Sequence, residues 1–234
     1  MPVIRRLARA LRTDQSGLAM TEFALALPLV LTLGLMGLET ANRALVQMQV
    51  SQLAVQIADN ASRIGETSVL EDQKIYEFDI NDLFYGAHLQ SGKGVDLFEH
   101  GRVILSSQEV VPGTEEDQYI HWQRCMGKKR VGSSYGVEGD GLRSRRFKGM
   151  GPRGEEVLAF KDGAVMFVEI AYDYQPIIGQ PFGLGGDQVV RAVASFTVRT
   201  DRDLTQIYQR DSGDPDPVAN CDVYGGSGYK DGAN

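Results

Sequence analysis

One feature constrains the fold more than any other: an uncharged apolar run, Phe23–Leu38, that begins directly after a glutamate, Glu22. The run reads FALALPLVLTLGLMGL, and its sixteen residues are somewhat fewer than the about 20 that a spanning helix needs. Extending it through the neighbouring residues gives a transmembrane helix over residues 18–41. Glu22 and Glu39 then lie near its two ends, where a carboxylate reaches the headgroups and costs less than at the bilayer centre.

The charges on either side of the run predict its orientation. Arg5, Arg6, Arg9 and Arg12 precede it, and no comparable cluster of basic residues follows it closely. The positive-inside rule therefore predicts that residues 1–17 form a basic cytoplasmic leader and that the C-terminal part of the chain is exported. The whole chain has a net charge of −7, and residues 1–17 carry +3, so the remaining 217 residues carry −10. An acidic body gives no reason to expect a nucleic-acid partner.

A cleaved secretory signal peptide is the alternative to a retained span. Its apolar core is 7 to 15 residues long and ends in a small-residue cleavage site. Here the apolar run is longer, and the sequence that follows, ETANRALVQMQ, continues the helical pattern. We therefore favour a retained helix.

Beyond the apolar run, residues 42–65 have the pattern of an amphipathic helix. Apolar residues recur at steps of three and four, which places them on one face. We expect the exported domain to cover this face. Gly65 is a candidate helix stop. The face consists of Val46, Val50, Leu53, Ile57, Ala61 and Ile64.

Residues 66–210 lack a second long apolar helix, and we interpret them as an exported α+β domain, followed by an irregular tail over 211–234. A short helix, or a helix and a turn, is predicted within residues 72–88. Four segments rich in β-branched and aromatic residues predict an antiparallel sheet that packs one face on the core. These segments are GRVILSSQEVV, YIHWQRCMG, AVMFVEIAYDY and DQVVRAVASFTVRT. The fold class is therefore α+β: a long N-terminal helix on a small antiparallel sheet.

The chain contains two cysteines, Cys125 and Cys221, at a spacing that fits no zinc pattern. If this part of the chain lies in an oxidising compartment, we predict one disulfide that joins the tail to the second predicted strand. Two unrelated thiols are the alternative.

The glycine-rich loop over residues 127–154 is basic, and it contains no phosphate-binding motif. Its cations suggest either a patch for acidic partners or lipid headgroups, or a solvated loop, and we favour the solvated loop. They are Lys128, Lys129, Arg130, Arg143, Arg145, Arg146 and Lys148.

No catalytic or metal-binding signature is present. His88, His100 and His121 are scattered, and neither an H-E-x-x-H nor a G-x-S-x-G motif occurs. We therefore expect a protein that is not an enzyme and that has no cofactor or metal.

The start of the apolar run resembles a known class of processing signal. A basic leader, Gly17, four residues, Glu22 and a long apolar helix resemble the class III signal of type IV pilins. More narrowly, GLAMTEFALALPLVLTLGLMGLE resembles the N-terminal signature of TadE-like proteins, the minor pilins or pseudopilins of the tight-adherence (Flp) pilus system. The segments VEIAYDYQPIIGQPF and VVRAVASFTVRTDRDL resemble the closing strands of such proteins. The major pilins of that system have tyrosine after the glutamate, whereas this chain has Phe23. The matching residues are Gly17, Ala19, Glu22, Phe23, Ala24, Leu25, Leu27 and Pro28.

The resemblance implies a mechanism of assembly. A prepilin peptidase would cut between Gly17 and Leu18, and the new amino group would pair with Glu22 in its own or a neighbouring subunit. Phe23 and Pro28 would belong to the helix that packs in the assembly. The implied partners are other pilins, pilus assembly proteins and membrane lipid, and the implied location is the bacterial inner membrane, with the domain in the periplasm or in an extracellular pilus.

Small residues on the same helix permit close packing. Gly34, Gly37 and Ala41 lie at i, i+3 and i+7 and would let a neighbouring helix approach. Ordinary small-residue content of a membrane helix is the alternative.

Two other functions remain open. The chain is alternatively a single-pass anchor for a periplasmic binding or sensor module, in which Glu22 only caps the helix. A cleaved, secreted hydrolase is the third possibility, which the missing motifs disfavour.

Overall fold

The computed structural model describes residues 16–65, 72–144, 146–178 and 189–225. The helices are α1 (Ser16–Ala61), α2 (Glu77–Val95) and α3 (Leu97–His100), and the strands are β1 (Gly101–Val110), β2 (Gln118–Met126), β3 (Ala164–Asp173) and β4 (Val189–Thr197). The predicted α+β class is confirmed. Most of the predicted leader, part of the β3–β4 connection and the end of the tail lie outside the described residues.

The chain divides into two compact units. The first contains α1 as far as Ala44, together with the segment that begins at Pro176. The second begins at Leu45 and contains the rest of α1, the other helices and the sheet.

In the first unit, α1 keeps its helical form although Pro28 lies inside it. Proline has no amide hydrogen, so one helical hydrogen bond is missing. Threonine hydroxyls donate back to carbonyls of their own helix: Thr32 to Pro28 at 2.7 Å and Thr40 to Met36 at 2.8 Å. These bonds satisfy hydroxyls that would otherwise be costly in an apolar environment.

In the second unit, the apolar face predicted for the end of α1 packs into the main core. Val50, Leu53, Ile57 and Ala61 are buried, and Val46 and Ile64 pack against them. Their core partners come from α2 and from one face of the sheet, including Phe84, Leu105, Met166, Val168 and Tyr172.

The C-terminus of α1 is closed by an arginine and a glycine. The buried guanidinium of Arg202 donates from Nη2 to the carbonyls of Ala61, at 3.2 Å, and of Ile64, at 2.8 Å. Gly65 follows with φ +129°, and an added Cβ would lie 2.8 Å from the Lys74 carbonyl oxygen. The helix itself ends at Ala61, four residues before the stop predicted at Gly65.

The second helix is longer than predicted. It was expected within residues 72–88, but α2 continues to Val95 through a kink at Gly92, where φ is +62°. Glycines disfavour a helix interior, which is why the pattern indicated an earlier end.

The sheet is antiparallel throughout, with the strand order β2-β1-β3-β4. All four strands lie where the sequence predicts them. The expectation that only one face is covered is wrong, because β1 and β3 are buried along almost their whole length.

The connection between β2 and β3 covers the second face of the sheet. Ile120 and Phe167 of the sheet pack there against Met150, with Tyr135 and Phe147 at the edge of the cluster. This segment was predicted to be a solvated loop, and that prediction holds only for some of its side chains.

Polar side chains on the second face hold this connection in place. The Gln108 side chain accepts from the Met150 amide at 2.6 Å and donates to the Val157 carbonyl at 2.7 Å. The Glu169 carboxylate accepts from the Ser133 hydroxyl and from the Ser134 amide. Buried polar groups need such partners, and here each one fixes part of an irregular segment.

The predicted disulfide between Cys125 and Cys221 is present, with a Cα–Cα distance of 4.7 Å. Beside it, the buried Arg102 donates to the carbonyls of Gly127, Val223 and Cys221 at 2.7–2.9 Å. Burial lowers the pKa of Arg102, and Tyr224 and Asp222 oppose this effect. The Arg102 guanidinium also lies over the Tyr224 ring. The tail is therefore attached both covalently and through a buried cation.

We expect removal of the disulfide to destabilise the domain strongly. The bridge closes a loop with a sequence separation of 96. A double Cys125→Ser, Cys221→Ser variant should lose about 2–5 kcal/mol of unfolding free energy. Urea titration in detergent, followed by Trp122 fluorescence, measures this loss. The reduced parent protein is the control and should match the variant; a variant as stable as the oxidised parent would contradict the expectation.

We also expect the two sides of α1 beyond residue 45 to respond differently to truncation. Ile57 is 2% exposed and Val55 is 46% exposed. Ile57→Ala should lower the free energy of unfolding by about 2–5 kcal/mol. Val55→Ala should change it by no more than about 0.5 kcal/mol. The same urea titration compares the two variants, and equal losses would mean that this helix is not packed as described.

Candidate assembly helix

The first half of α1 leaves its apolar side chains uncovered. Leu25 is 80% exposed, Phe23 61% and Leu38 53%. Every large apolar residue between Leu18 and Leu38 is exposed to a comparable degree, on all sides of the helix. A surface of this size and composition is not stable in water.

Among the described residues, α1 is the one helix that is long and apolar enough to cross a membrane. None of its most apolar window is buried by the rest of the protein, unlike the core helix of a water-soluble domain. The helix therefore has the character of a membrane anchor near the N-terminus.

The predicted processing and assembly residues lie at the start of this helix. Gly17 and Leu18 are in its first turn, and an added Cβ at Gly17 would meet no atom within 4 Å. Glu22 follows one turn after Leu18. Within the described chain, no hydrogen bond or ion pair engages the Glu22 carboxylate.

The small residues predicted for helix packing are equally accessible. Gly34, Gly37 and Ala41 are exposed, and an added Cβ at either glycine would meet no atom within 4 Å. The helix thus has room for a close neighbour on this side.

At the other end of the apolar run, Glu39 has a partner that the sequence did not indicate. The backbone amide of Ile178, which follows β3, donates to Glu39 Oε2 at 3.0 Å. Both residues belong to the first compact unit. The two carboxylates at the ends of the run therefore differ, since among the described residues only Glu39 has a hydrogen-bond partner.

A partly buried cluster of titratable groups lies at a β-bulge in the second unit. The pairing of β1 with β2 shifts between Ser107 and Gln108, which leaves His121 as the extra residue. Its Nδ1 lies 2.9 Å from Oε2 of the buried Glu109, whose other oxygen accepts from the Ser107 hydroxyl at 2.7 Å. Bulges re-aim side chains, and this one turns His121 towards Glu109. Sequence spacing missed the pair because a bulge has no clear signature.

Glu109 raises the pKa values of two neighbours. The pKa of His121 is raised, first by its hydrogen bond to Glu109 and, against the effect of burial, by the charge of that carboxylate. The pKa of Tyr119 is raised by burial and by the same carboxylate. Ser107 is fully buried, and its hydroxyl donates to Glu109 and not to His121.

An open groove of about 380 Å³ is lined by residues from the end of α1 and from α2. Its polar lining includes Asn60, Arg63, Asp79, Asp82 and Gln90. The Asp79 carboxylate accepts from the Tyr76 amide at 3.0 Å, and burial raises the pKa of Asp79.

The cations of the basic loop do not converge on one site. Lys128 forms an ion pair with Glu99, and Nζ of Lys129 lies 2.5 Å from Oδ1 of Asp173. The Arg130 guanidinium lies over the Tyr224 ring. Arg143, Arg146 and Lys148 are exposed, and Arg145 lies outside the described residues. No group of three or more metal-ligating side chains occurs within the described ranges.

No protein-family model, curated protein or solved structure matches this chain.

The His121–Glu109 pair predicts a pH dependence of stability. A raised pKa in the folded state means that the stabilisation is complete below the unfolded pKa of about 6.5 and is lost as pH rises through the folded pKa. The unfolding free energy should thus fall as pH rises from the unfolded pKa to the folded pKa of His121. In His121→Gln the fall over the same pH range should be smaller. Urea titrations at several pH values measure the slope.

Two further variants complete this test. Glu109→Gln removes the charged partner and should flatten the slope in the same way. His100→Gln is the control, because it replaces a histidine whose ring packs edge-on against Tyr172 and leaves the His121–Glu109 pair in place. Slopes unchanged in both His121→Gln and Glu109→Gln would show that the pair does not contribute.

Proposed function

We propose that this chain is a TadE-like minor pilin or pseudopilin, a membrane-anchored structural or assembly component of a tight-adherence (Flp) pilus or related secretion apparatus. The supporting observation is the uncovered apolar first half of α1, which begins with Gly17 and Glu22. The Glu22 carboxylate has no polar partner among the described residues. Such a helix needs lipid around it before assembly and other helices around it afterwards.

In this proposal Glu22 directs assembly. Cleavage after Gly17 would create a positive amino group at Leu18, one helical turn before the glutamate. A carboxylate at the edge of the hydrocarbon is stabilised when a positive group lies beside it. If that amine belongs to a neighbouring subunit, the pair also fixes the register between the two helices.

The proposed location is a bacterial inner membrane. The arginines of residues 1–17 favour a cytoplasmic N-terminus, and the domain that follows α1 would then lie in the periplasm. The disulfide supports this placement, because such bonds persist in oxidising compartments. A place in an extracellular pilus is compatible with the same topology.

The proposal assigns no reaction to this chain. Its partners would be a prepilin peptidase, other pilins and pilus assembly proteins, with no nucleic acid among them. Phe23, Pro28 and the small-residue face at Gly34, Gly37 and Ala41 would form contacts with neighbouring helices.

One alternative has a specific observation in its favour. The groove between α1 and α2 offers carboxylate and amide groups around an open cleft, which suits a membrane-tethered binding or sensor module. Under this alternative the N-terminus stays intact and deletion of the gene leaves pilus formation unchanged.

We predict that processing depends on Gly17 and assembly on Glu22. Mass spectrometry of the native protein should find a chain beginning at Leu18, and Gly17→Ala should leave the leader attached. Gly34→Ala is the matched control, because an added Cβ meets no atom within 4 Å at either glycine. A parent chain that retains its leader would favour the tethered-module alternative.

Glu22→Gln tests the assembly step separately. It keeps the size of the side chain but removes the charge, so we expect co-purification with other pilins and pilus formation to decline. Glu39→Gln is the control, since Glu39 lies at the opposite end of the run. Unchanged assembly in Glu22→Gln would refute the role proposed for this carboxylate.

A further inference from the structure

The segment that follows β3 lies against the end of the apolar run. Residues 174–186 contain no charged residue, and the structure describes this segment as far as Ile178. Its described residues Pro176–Ile178 belong to the same compact unit as the first half of α1. An uncharged segment grouped with an apolar helix, and not with the sheet that precedes it, suggests a shared environment.

The hydrogen bond between Ile178 and Glu39 defines where this segment lies along the helix. Glu39 is the first charged residue after the apolar run, so it marks the level at which hydrocarbon gives way to headgroups. The Ile178 amide donates to its carboxylate at 3.0 Å. The segment is therefore level with the outer end of the apolar run.

Two properties suit this segment to the edge of a bilayer. The side chain of Ile177 is 64% exposed, and burying it in lipid is favourable. The Ile178 amide already has an acceptor, and a backbone amide without one is costly in an apolar medium. A single exposed isoleucine is ordinary on a protein surface, but this one neighbours the end of a candidate membrane span.

We propose that Pro176–Ile178 is a second membrane-contacting element, which enters the boundary between headgroups and acyl chains with Ile177 in contact with lipid. The inference rests on the proposed membrane span of α1. It gives Glu39 a positioning role, because its carboxylate holds the segment at this depth. Since the segment carries no cation, the contact is one of apolar insertion and does not depend on anionic lipid.

Depth-dependent fluorescence quenching tests the proposal. Trp122 is the only tryptophan in the chain, so Trp122→Phe provides a background into which one new tryptophan is placed. The full chain carrying Ile177→Trp is reconstituted in phosphatidylethanolamine vesicles that contain brominated phosphatidylcholine. We expect a blue-shifted emission that bromines near the glycerol quench more strongly than bromines near the bilayer centre.

Two more positions separate failure of the inference from failure of the membrane span. Leu31→Trp reports on the middle of the apolar run and should be quenched most by deep bromines. Phe160→Trp is the control for non-specific contact, because Phe160 is 73% exposed and precedes β3. If Trp122→Phe fails to fold, the same variants are measured with Trp122 retained and the quenching of the parent protein subtracted.

Each outcome has one meaning. Quenching at positions 31 and 177 but not at 160 supports the proposal. Quenching at 31 alone overturns it and leaves the membrane span intact, whereas no quenching at 31 overturns the span and the inference together. Equal quenching at 160 and 177 also overturns the inference, because the contact would then be non-specific.

The role of Glu39 has its own readout. Glu39→Ala removes the acceptor and should reduce the quenching at position 177 but not at position 31. Glu39→Gln keeps an acceptor oxygen and should preserve it. If quenching at position 177 is the same in Glu39→Ala as in Glu39→Gln, Glu39 does not hold the segment. Separately, addition of phosphatidylglycerol to the vesicles should leave the quenching at every position unchanged.

Discussion

The fold depends on a single constraint: the first half of α1 cannot be exposed to water as it stands. Its side chains are apolar on all sides from Phe23 to Leu38, and the rest of the described chain covers none of its most apolar window. After residue 45 the same helix has one apolar face, and the domain buries that face. One continuous helix thus combines a segment that requires an apolar environment with a segment that forms the core of a folded domain. Each end of the apolar run carries a carboxylate, and only Glu39 has a hydrogen-bond donor within the described residues.

Buried polar side chains help to hold the second unit together. Arg202 closes the C-terminus of α1, Arg102 binds the tail, and Gln108 and Glu169 hold the connection over the second face of the sheet. Arg102, Gln108 and Glu169 lie on strands and bind backbone groups of irregular segments. Arg202 lies after β4 and binds carbonyls at the end of α1. Such bonds are worth little as surface contacts, but removing one buried partner leaves the other unsatisfied at a considerable cost. The irregular segments therefore have fixed positions without a large apolar core of their own.

Local patterns predicted much of this structure. The unbroken apolar run, the helical spacing from Val46 to Ile64 and the four β-rich segments each determine an element through their own residues. The disulfide followed from the compartment that the membrane segment implies. The second layer over the sheet could not be predicted, because it depends on pairs such as Gln108 with Met150 that are 42 residues apart. The bulge that turns His121 towards Glu109 and the bond from Ile178 to Glu39 were missed for the same reason, since neither has a local signature.

The central claim is that residues 23–38 form a helix within lipid while residues 50–61 form a helix within the domain. Hydrogen–deuterium exchange of the full chain in lipid nanodiscs, resolved by peptide, tests both segments together. The account predicts slow amide exchange in both segments in the nanodiscs. When a weakly binding detergent replaces the lipid, only residues 23–38 should lose protection. Rapid exchange over residues 23–38 in the nanodiscs, with residues 50–61 still protected, would contradict it.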